Sequence, residues 1–301
     1  MDLNIKIGNI NLPNPVGTAS GTFGFGEEYG QLMDLSLLGA IYTKALTPSQ
    51  RDGNAVPRLV ETPSGILNSI GLANPGINNF LSEKVPFLKT VYCPVILNVS
   101  GSTEDDYIEV IKKTDFLDCI DGFEVNISCP NVKHGGLAFG TDPIQVESLT
   151  AQLRKLTKKP LIVKLTPNVT DISVIARAAE AGGADSVSCI NTVRGMVIDT
   201  DKKKSVIPAG IAGLSGPAIR PVGVAAVYTV SRAVSIPVVG LGGIMCTDDA
   251  LQYLLAGASA IQIGTGLFVD PILPIKVLSG IKEYMNNNKL EKISDFHSFI
   301  D

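Results

Sequence analysis

Short runs of apolar, largely β-branched residues alternate with helical patterns along the whole chain. Eight runs stand out, at residues 15–20, 40–45, 95–100, 122–128, 161–166, 186–191, 237–242 and 260–265. Each is nearly continuous in its apolar character, which suits parallel strands covered on both faces. The segments between them read as helices. TEDDYIEVIKKTDFL, starting at Thr103, opens on a capping threonine, places acids in its first turn and then spaces its apolar residues helically. DISVIARAAEAGG, starting at Asp171, opens on an N-capping aspartate and stops at glycine, and TDDALQYLLAGA does likewise. Strand–helix alternation eight times over predicts an α/β fold, a (β/α)8 TIM barrel. A doubly wound sheet would usually show G-x-G-x-x-G after its first strand, and residues 17–26 do not fit that pattern.

The length that the barrel does not need lies in identifiable places. Residues 1–13 read as a short N-terminal hairpin closing the barrel floor. Residues 46–75, 129–142 and 193–215 read as long connections after strands two, four and six. They fall on the C-terminal face, where the βα loops of a barrel build its site. No shift in composition marks a second domain, so residues 1–301 are expected to form one.

Composition narrows the class. Apolar residues make up 45% of the 301 and charged ones 18%, with a net charge of −4, so a large core is expected and disorder is not. The one basic run, Lys202-Lys203-Lys204, reads as a solvated loop, and no nucleic-acid partner is expected. No signal peptide and no apolar span of membrane length is visible, so a soluble, cytoplasmic protein is expected. The five cysteines are odd in number and form no C-x-x-C, which speaks against a disulfide framework, a zinc site or a self-contained iron–sulfur cluster. Cys93, Cys119, Cys189 and Cys246 read as small buried hydrophobes. Cys129 differs: it ends a strand in NISCPN and a glycine-rich loop follows it.

The candidate chemistry sits at the strand ends. VVGLGGIMCTDDA and IQIGTGLF place glycines after strands seven and eight, and AGLSGPAI adds a third glycine-rich helix start. Backbone N–H groups converging there, with positive helix N-termini behind them, suit a phosphate; tight turns alone are the plainer alternative. Lys44 ends strand two, Lys164 lies inside strand five, and Asn98, Asn126 and Asn191 lie at or near the ends of strands three, four and six. A lysine inside an apolar strand needs a partner or must snorkel. Two lysines and three asparagines together suggest a planar polar heterocycle across the barrel top. Flavin mononucleotide (FMN) fits both halves, with a lysine near its pyrimidine edge stabilising the reduced anion.

On NPVGTASGTFGFGEEY, YTKALTPSQRDGNAVPRLVETPSGILNSIGLANPG, NISCPNVKHGGLAFGTDP, IVKLTPN, INTVRG and GLGGIMCTDDALQYLLAGASAIQIGTGLF, nearly the whole chain resembles the dihydroorotate dehydrogenases. The resemblance implies oxidation of (S)-dihydroorotate to orotate in pyrimidine biosynthesis, with one FMN per chain. It makes Cys129 the base that removes a proton while hydride passes to the flavin from the opposite side of the substrate, and makes its glycine-rich loop a lid. It places Ser20, Lys44, Ala45, Asn98, Asn126, Lys164, Ile190, Gly216, Gly242, Gly243, Gly264 and Thr265 at the flavin. It places Lys44, Asn68, Ser69, Ile70, Gly71, Leu72, Asn126, Asn131, Asn191 and Thr192 at the substrate. Asparagines offer both a donor and an acceptor to the orotate ring amides, and Lys44 adds charge at the carboxylate.

The family divides by electron acceptor. The chain has neither the N-terminal extension nor the serine base of the membrane-associated members. GTFGFGEEY and SCPNVKHGGLAFGTDP resemble the NAD-linked branch. That branch implies a homodimer core plus an electron-transfer subunit carrying FAD and a 2Fe-2S cluster, together a heterotetramer delivering electrons to NAD. A fumarate-linked homodimer and a dihydropyrimidine dehydrogenase-type enzyme are the nearest alternatives. A Schiff-base lyase acting through Lys164 and a non-catalytic barrel are the others.

Overall fold

The computed structural model describes residues 1–128 and 139–298. Strands β1 (Ile5–Ile7) and β2 (Ile10–Leu12) pair antiparallel. Their turn residue Gly8 packs against Pro160 and Asp185, which stand just before two barrel strands, so the hairpin lies on the N-terminal floor. Ile7 and Leu12 are buried there.

All eight apolar runs form strands, trimmed at their ends. They are β3 (Val16–Thr18), β4 (Ile41–Tyr42), β7 (Val95–Val99), β8 (Gly122–Asn126), β9 (Leu161–Leu165), β10 (Ser186–Cys189), β15 (Val238–Leu241) and β16 (Ala260–Ile263). They follow one another around a single parallel sheet in chain order. The sheet closes between β3 and β4: the Gly39 N–H donates to the Val16 carbonyl at 2.7 Å, and Gly17 bridges Ala40. Every position of β7 and β9 is buried, which is why these runs show no polar alternation. The expected TIM barrel is therefore the fold.

Helices cover the outside. Gly76–Asn79 (α1) and Val85–Leu88 (α2) flank one wide π-helical turn. Then follow α3 (Glu104–Thr114), α4 (Pro143–Arg154), α5 (Ile172–Ala181), α6 (Arg220–Ser231), α7 (Thr247–Leu255), α8 (Gly266–Val269) and α9 (Leu273–Asn287). Helix α3 begins in a capping box: the Asp106 N–H donates to Thr103 Oγ1, and the Asp106 carboxylate accepts the Thr103 N–H. Asp171 caps α5 by accepting the Ser173 N–H. Among the described residues no helix is long and apolar enough to cross a membrane.

Two connections carry more structure than their patterns announce. Residues 46–75 hold β5 (Leu59–Thr62) and β6 (Gly65–Asn68). Residues 193–215 hold β11 (Val193–Gly195), β12 (Ile198–Asp199), β13 (Lys204–Ser205) and β14 (Ala212–Ser215). Strands β11, β14, β6 and β5 form an antiparallel sheet in that order, with a small core of Leu67, Ile207 and Ala212. Its central pair joins one connection to the other, so no local turn marks it.

Of the four cysteines expected to be buried, two are and two are not. Cys93 and Cys189 are buried, and burial pushes both thiols up, Cys93 to about 12. Cys119 is only half-buried, and Cys246 is exposed, because it occupies the N-cap position of α7 on the open face.

Candidate active site

A cavity of about 800 Å³ opens at the C-terminal ends of the barrel strands, between them and the antiparallel sheet. Its size is that of a small-molecule or cofactor site. A second cavity, of about 440 Å³, adjoins Pro237, Ser259 and His297 at the start of β15 and β16. That is the N-terminal face, where a barrel keeps its stability rather than its chemistry.

One end of the large cavity is a backbone cradle. Gly216, Gly242, Gly243, Gly264 and Thr265 line it, with the Thr265 hydroxyl donating to Ser215 Oγ at 2.8 Å. Gly243 adopts φ +71°, and a Cβ there would lie 2.6 Å from the Gly216 carbonyl oxygen. Only glycine suits that conformation and that approach. Behind the cradle, Arg220 pairs with buried Asp249, whose other oxygen accepts the Met245 N–H at 2.8 Å. An ion pair thus braces the loop after β15. The backbone N–H groups and hydroxyls of this end are the donor set a phosphate requires.

The opposite end is a ring of amides. Asn191 Nδ2 donates to Ser128 Oγ at 2.8 Å and to Asn126 Oδ1 at 3.2 Å. Asn126 Oδ1 also accepts the Ser128 N–H, and the Tyr107 hydroxyl donates to the Asn126 carbonyl at 2.8 Å. Asn68 Nδ2 reaches across the sheet to the Gly213 carbonyl at 3.2 Å. Asn68, Ser69, Ile70, Gly71, Leu72 and Thr192 complete the wall. Lys44 lines the same end, and no carboxylate among the described residues pairs with it. Burial first, and the like charge of Arg58 second, hold its pKa below the ordinary lysine value. A free, half-buried ammonium beside hydrogen-bonding amides suits an anionic ring compound.

Between the two ends lie Ser20, Ala45, Lys164 and Ile190. Lys164 Nζ donates to Ser20 Oγ at 3.3 Å and lies 3.6 Å from Glu124 Oε2. The partner that an intra-strand lysine requires is thus Glu124, one strand over. Gly21 meets nothing within 4 Å of where its Cβ would be, so open space adjoins the backbone here.

The structure gathers all but three of the expected residues around this cavity. Asn98 stands back: it is fully buried, its Nδ2 donates to Glu124 at 2.5 Å, and its Oδ1 has no partner. Cys129 and Asn131 lie outside the described residues. Ser128, the residue before Cys129, does line the cavity. Sequence reasoning missed Ser128, Thr166, Asn168 and Ser215, which also line it. Their one signal is position, since each lies near a strand end or beside a residue already singled out. It also missed Glu124, which reads as a polar interruption of an apolar strand.

The family model described as dihydroorotate dehydrogenase matches residues 2–285. A protein of Thermoanaerobacter pseudethanolicus named dihydroorotate dehydrogenase B (NAD(+)), catalytic subunit, is 52% identical over 98% of this chain and 97% of its own length. A Bacteroides fragilis protein of the same name is 48% identical, again over 98% of this chain and 97% of its own. The crystal structure of DHODH from Eimeria tenella in complex with ferulenol has the same fold. It has a TM-score of 0.79 at 22% identity, covering 98% of this chain and 87% of that one. By its matched length and by the identity of these relatives, the chain belongs to the dihydroorotate dehydrogenase family.

Proposed function

We propose that this chain is the catalytic subunit of an NAD-linked dihydroorotate dehydrogenase, oxidising (S)-dihydroorotate to orotate. The observation that carries the reading is one continuous cavity with a phosphate cradle at one end and an amide ring with a free lysine at the other. FMN matches that polarity, and when bound it supplies the hydride acceptor. In this reading residues 1–301 form a single FMN-binding domain.

The chain's own residues divide the work. Gly216, Gly242, Gly243, Gly264 and Thr265 hold the phosphate. Ser20, Lys44, Ala45, Asn98, Asn126, Lys164 and Ile190 serve the ring, Asn98 through the buried carboxylate it supports. Asn68, Asn126, Asn131, Asn191 and Thr192 orient the substrate ring, with Ser69, Ile70, Gly71 and Leu72 as its wall. Lys44 pairs with the carboxylate. Cys129 removes the proton from the ring carbon next to the one that gives up hydride. Electrons leave through a partner subunit carrying FAD and a 2Fe-2S cluster, in a cytoplasmic heterotetramer built on a homodimer of this chain.

Lys44 makes affinity depend on pH. Its pKa is depressed in the free protein, so between that value and the ordinary lysine pKa of about 10.4 the unfolded chain binds more protons than the folded one. Its contribution to stability therefore rises with pH through that window. Binding an anionic ring reverses the balance, because the ammonium is the form that pairs. Orotate affinity is expected to fall as pH rises through the depressed pKa, with proton uptake on binding. Titration calorimetry in buffers of different ionisation heat checks this. Lys44→Met should bind weakly with no such slope, and an unchanged slope in that variant removes Lys44 from the carboxylate.

The direct test uses the purified chain. It should be yellow, and anaerobic dihydroorotate should bleach its absorbance at about 450 nm, where oxidised flavins absorb. Reoxidation by NAD in the presence of the partner subunit supports the NAD-linked branch, and reoxidation by fumarate supports the homodimeric one. A flavin that dihydrouracil bleaches and dihydroorotate does not would overturn the substrate assignment.

A further inference from the structure

Beneath the cavity floor, side chains from four barrel strands converge on one carboxylate carried by a fifth. Glu124 of β8 is fully buried. Its Oε2 accepts from Asn98 Nδ2 of β7 at 2.5 Å and lies 3.6 Å from Lys164 Nζ of β9. Its Oε1 accepts from the Ser188 hydroxyl of β10 at 2.9 Å and from Gln262 Nε2 of β16 at 2.8 Å. Donors surround it on every side. Two of them are amides that turn their nitrogens to the carboxylate and leave their own oxygens, Asn98 Oδ1 and Gln262 Oε1, buried without a partner. Leaving a buried acceptor unpaired is costly, so the demand of Glu124 for donors sets both orientations. Such a set suits an ionised carboxylate. Burial and, after it, this charge push the Tyr42 phenol up.

Lys164 is the member of the cluster that reaches the cavity. Its ammonium has three N–H groups. One serves Ser20, one faces Glu124, and no described residue accepts the third. The cavity side is where that donor is available.

We propose that Glu124 is a positioning residue that acts through Lys164: it holds the ammonium at the cavity floor and offsets its charge, and so sets the reduction potential of the flavin bound above. The proposal rests on the FMN reading given under Proposed function. An unpaired ammonium would favour a reduced, anionic ring more strongly than a paired one. Glu124 therefore tempers the electron affinity that Lys164 confers.

The test uses Glu124→Gln, Lys164→Gln and the double variant. With FMN bound, Glu124→Gln should favour reduction about tenfold or more, which for a two-electron couple is a rise of about 30 mV. Glu124→Asp, which keeps the charge, should lie nearer the native potential. A potential in Glu124→Gln that is unchanged or lower overturns the proposal. The second readout needs neither activity nor cofactor. Lys164→Gln leaves a buried carboxylate without its counter-charge, and removing one partner of a buried pair is the damaging change. Thermal unfolding of the cofactor-free protein should show Lys164→Gln as the least stable of the three, with Glu124→Gln added on top restoring stability. Additive losses in the double variant would mean that the two side chains act independently, and the proposal falls. If the native chain binds no FMN at all, the functional reading fails, while the unfolding experiment still decides whether the pair is coupled.

Discussion

Replacing Cys129 by alanine is expected to slow flavin reduction by dihydroorotate by about two to four orders of magnitude, the range for removing a positioned general base. FMN content should not change, because the cradle is built from other segments. The substrate proton is abstracted from carbon, and among the described residues no side chain that lines the cavity is a carboxylate, histidine or thiol. In the proposed reading the lysines that line the cavity serve binding, Lys44 at the carboxylate and Lys164 at the ring. A thiol with an ordinary pKa of about 8.5 needs only a modest shift to supply thiolate at neutral pH. Stopped-flow absorbance under anaerobic conditions reads the step directly. Cys246→Ala is the control: that thiol is exposed and makes no capping bond to α7, so its loss should leave the rate unchanged. Native reduction rates in Cys129→Ala would refute the assignment.

Gly243→Ala is expected to yield a folded protein that loses its FMN on purification. The substitution forces a side chain into φ +71° and places its Cβ 2.6 Å from the Gly216 carbonyl oxygen and 2.9 Å from Arg220 Cβ. Strain of this kind is worth about 1–3 kcal/mol. Relief requires the two cradle loops to move apart, and at about 1.4 kcal/mol per tenfold the affinity for FMN should drop by about ten- to a hundredfold. Fluorescence titration with free FMN measures it. Gly183, at φ +90° after α5, separates strain from site geometry. Gly183→Ala should cost stability and keep the flavin. If Gly243→Ala binds FMN as tightly as the native chain, the cradle is not the phosphate site.

Much of this was legible in the chain because barrel strands are buried on both faces. Burial of that kind leaves near-continuous apolar runs, and all eight were found. The glycines after strands six, seven and eight stood out for a similar reason, since a backbone cradle leaves a mark that needs no partner to be read. The antiparallel sheet left no such mark. Its strands β6 and β14 are short and only half-buried, and each pairs with a segment far away in the chain. Asn98 and Glu124 mark a different limit. Asn98 was singled out and Glu124 passed over as a polar interruption of its strand, and only the β7–β8 register shows that they face each other and not the cavity. Lys164 fell between these cases: its need for a partner followed from its position, and the partner's identity did not.

The β6–β14 ladder has a consequence in time as well as in space. At one end it pairs Asn68 with Gly213 in the wall beside the amide ring. At the other it pairs Ile66 with Ser215, and the chain then passes directly into Gly216 of the cradle. In the proposed reading a cofactor held at Gly216 would anchor the same strand that shapes the substrate wall. In that reading, filling the cradle first would fix the wall against which the substrate then binds.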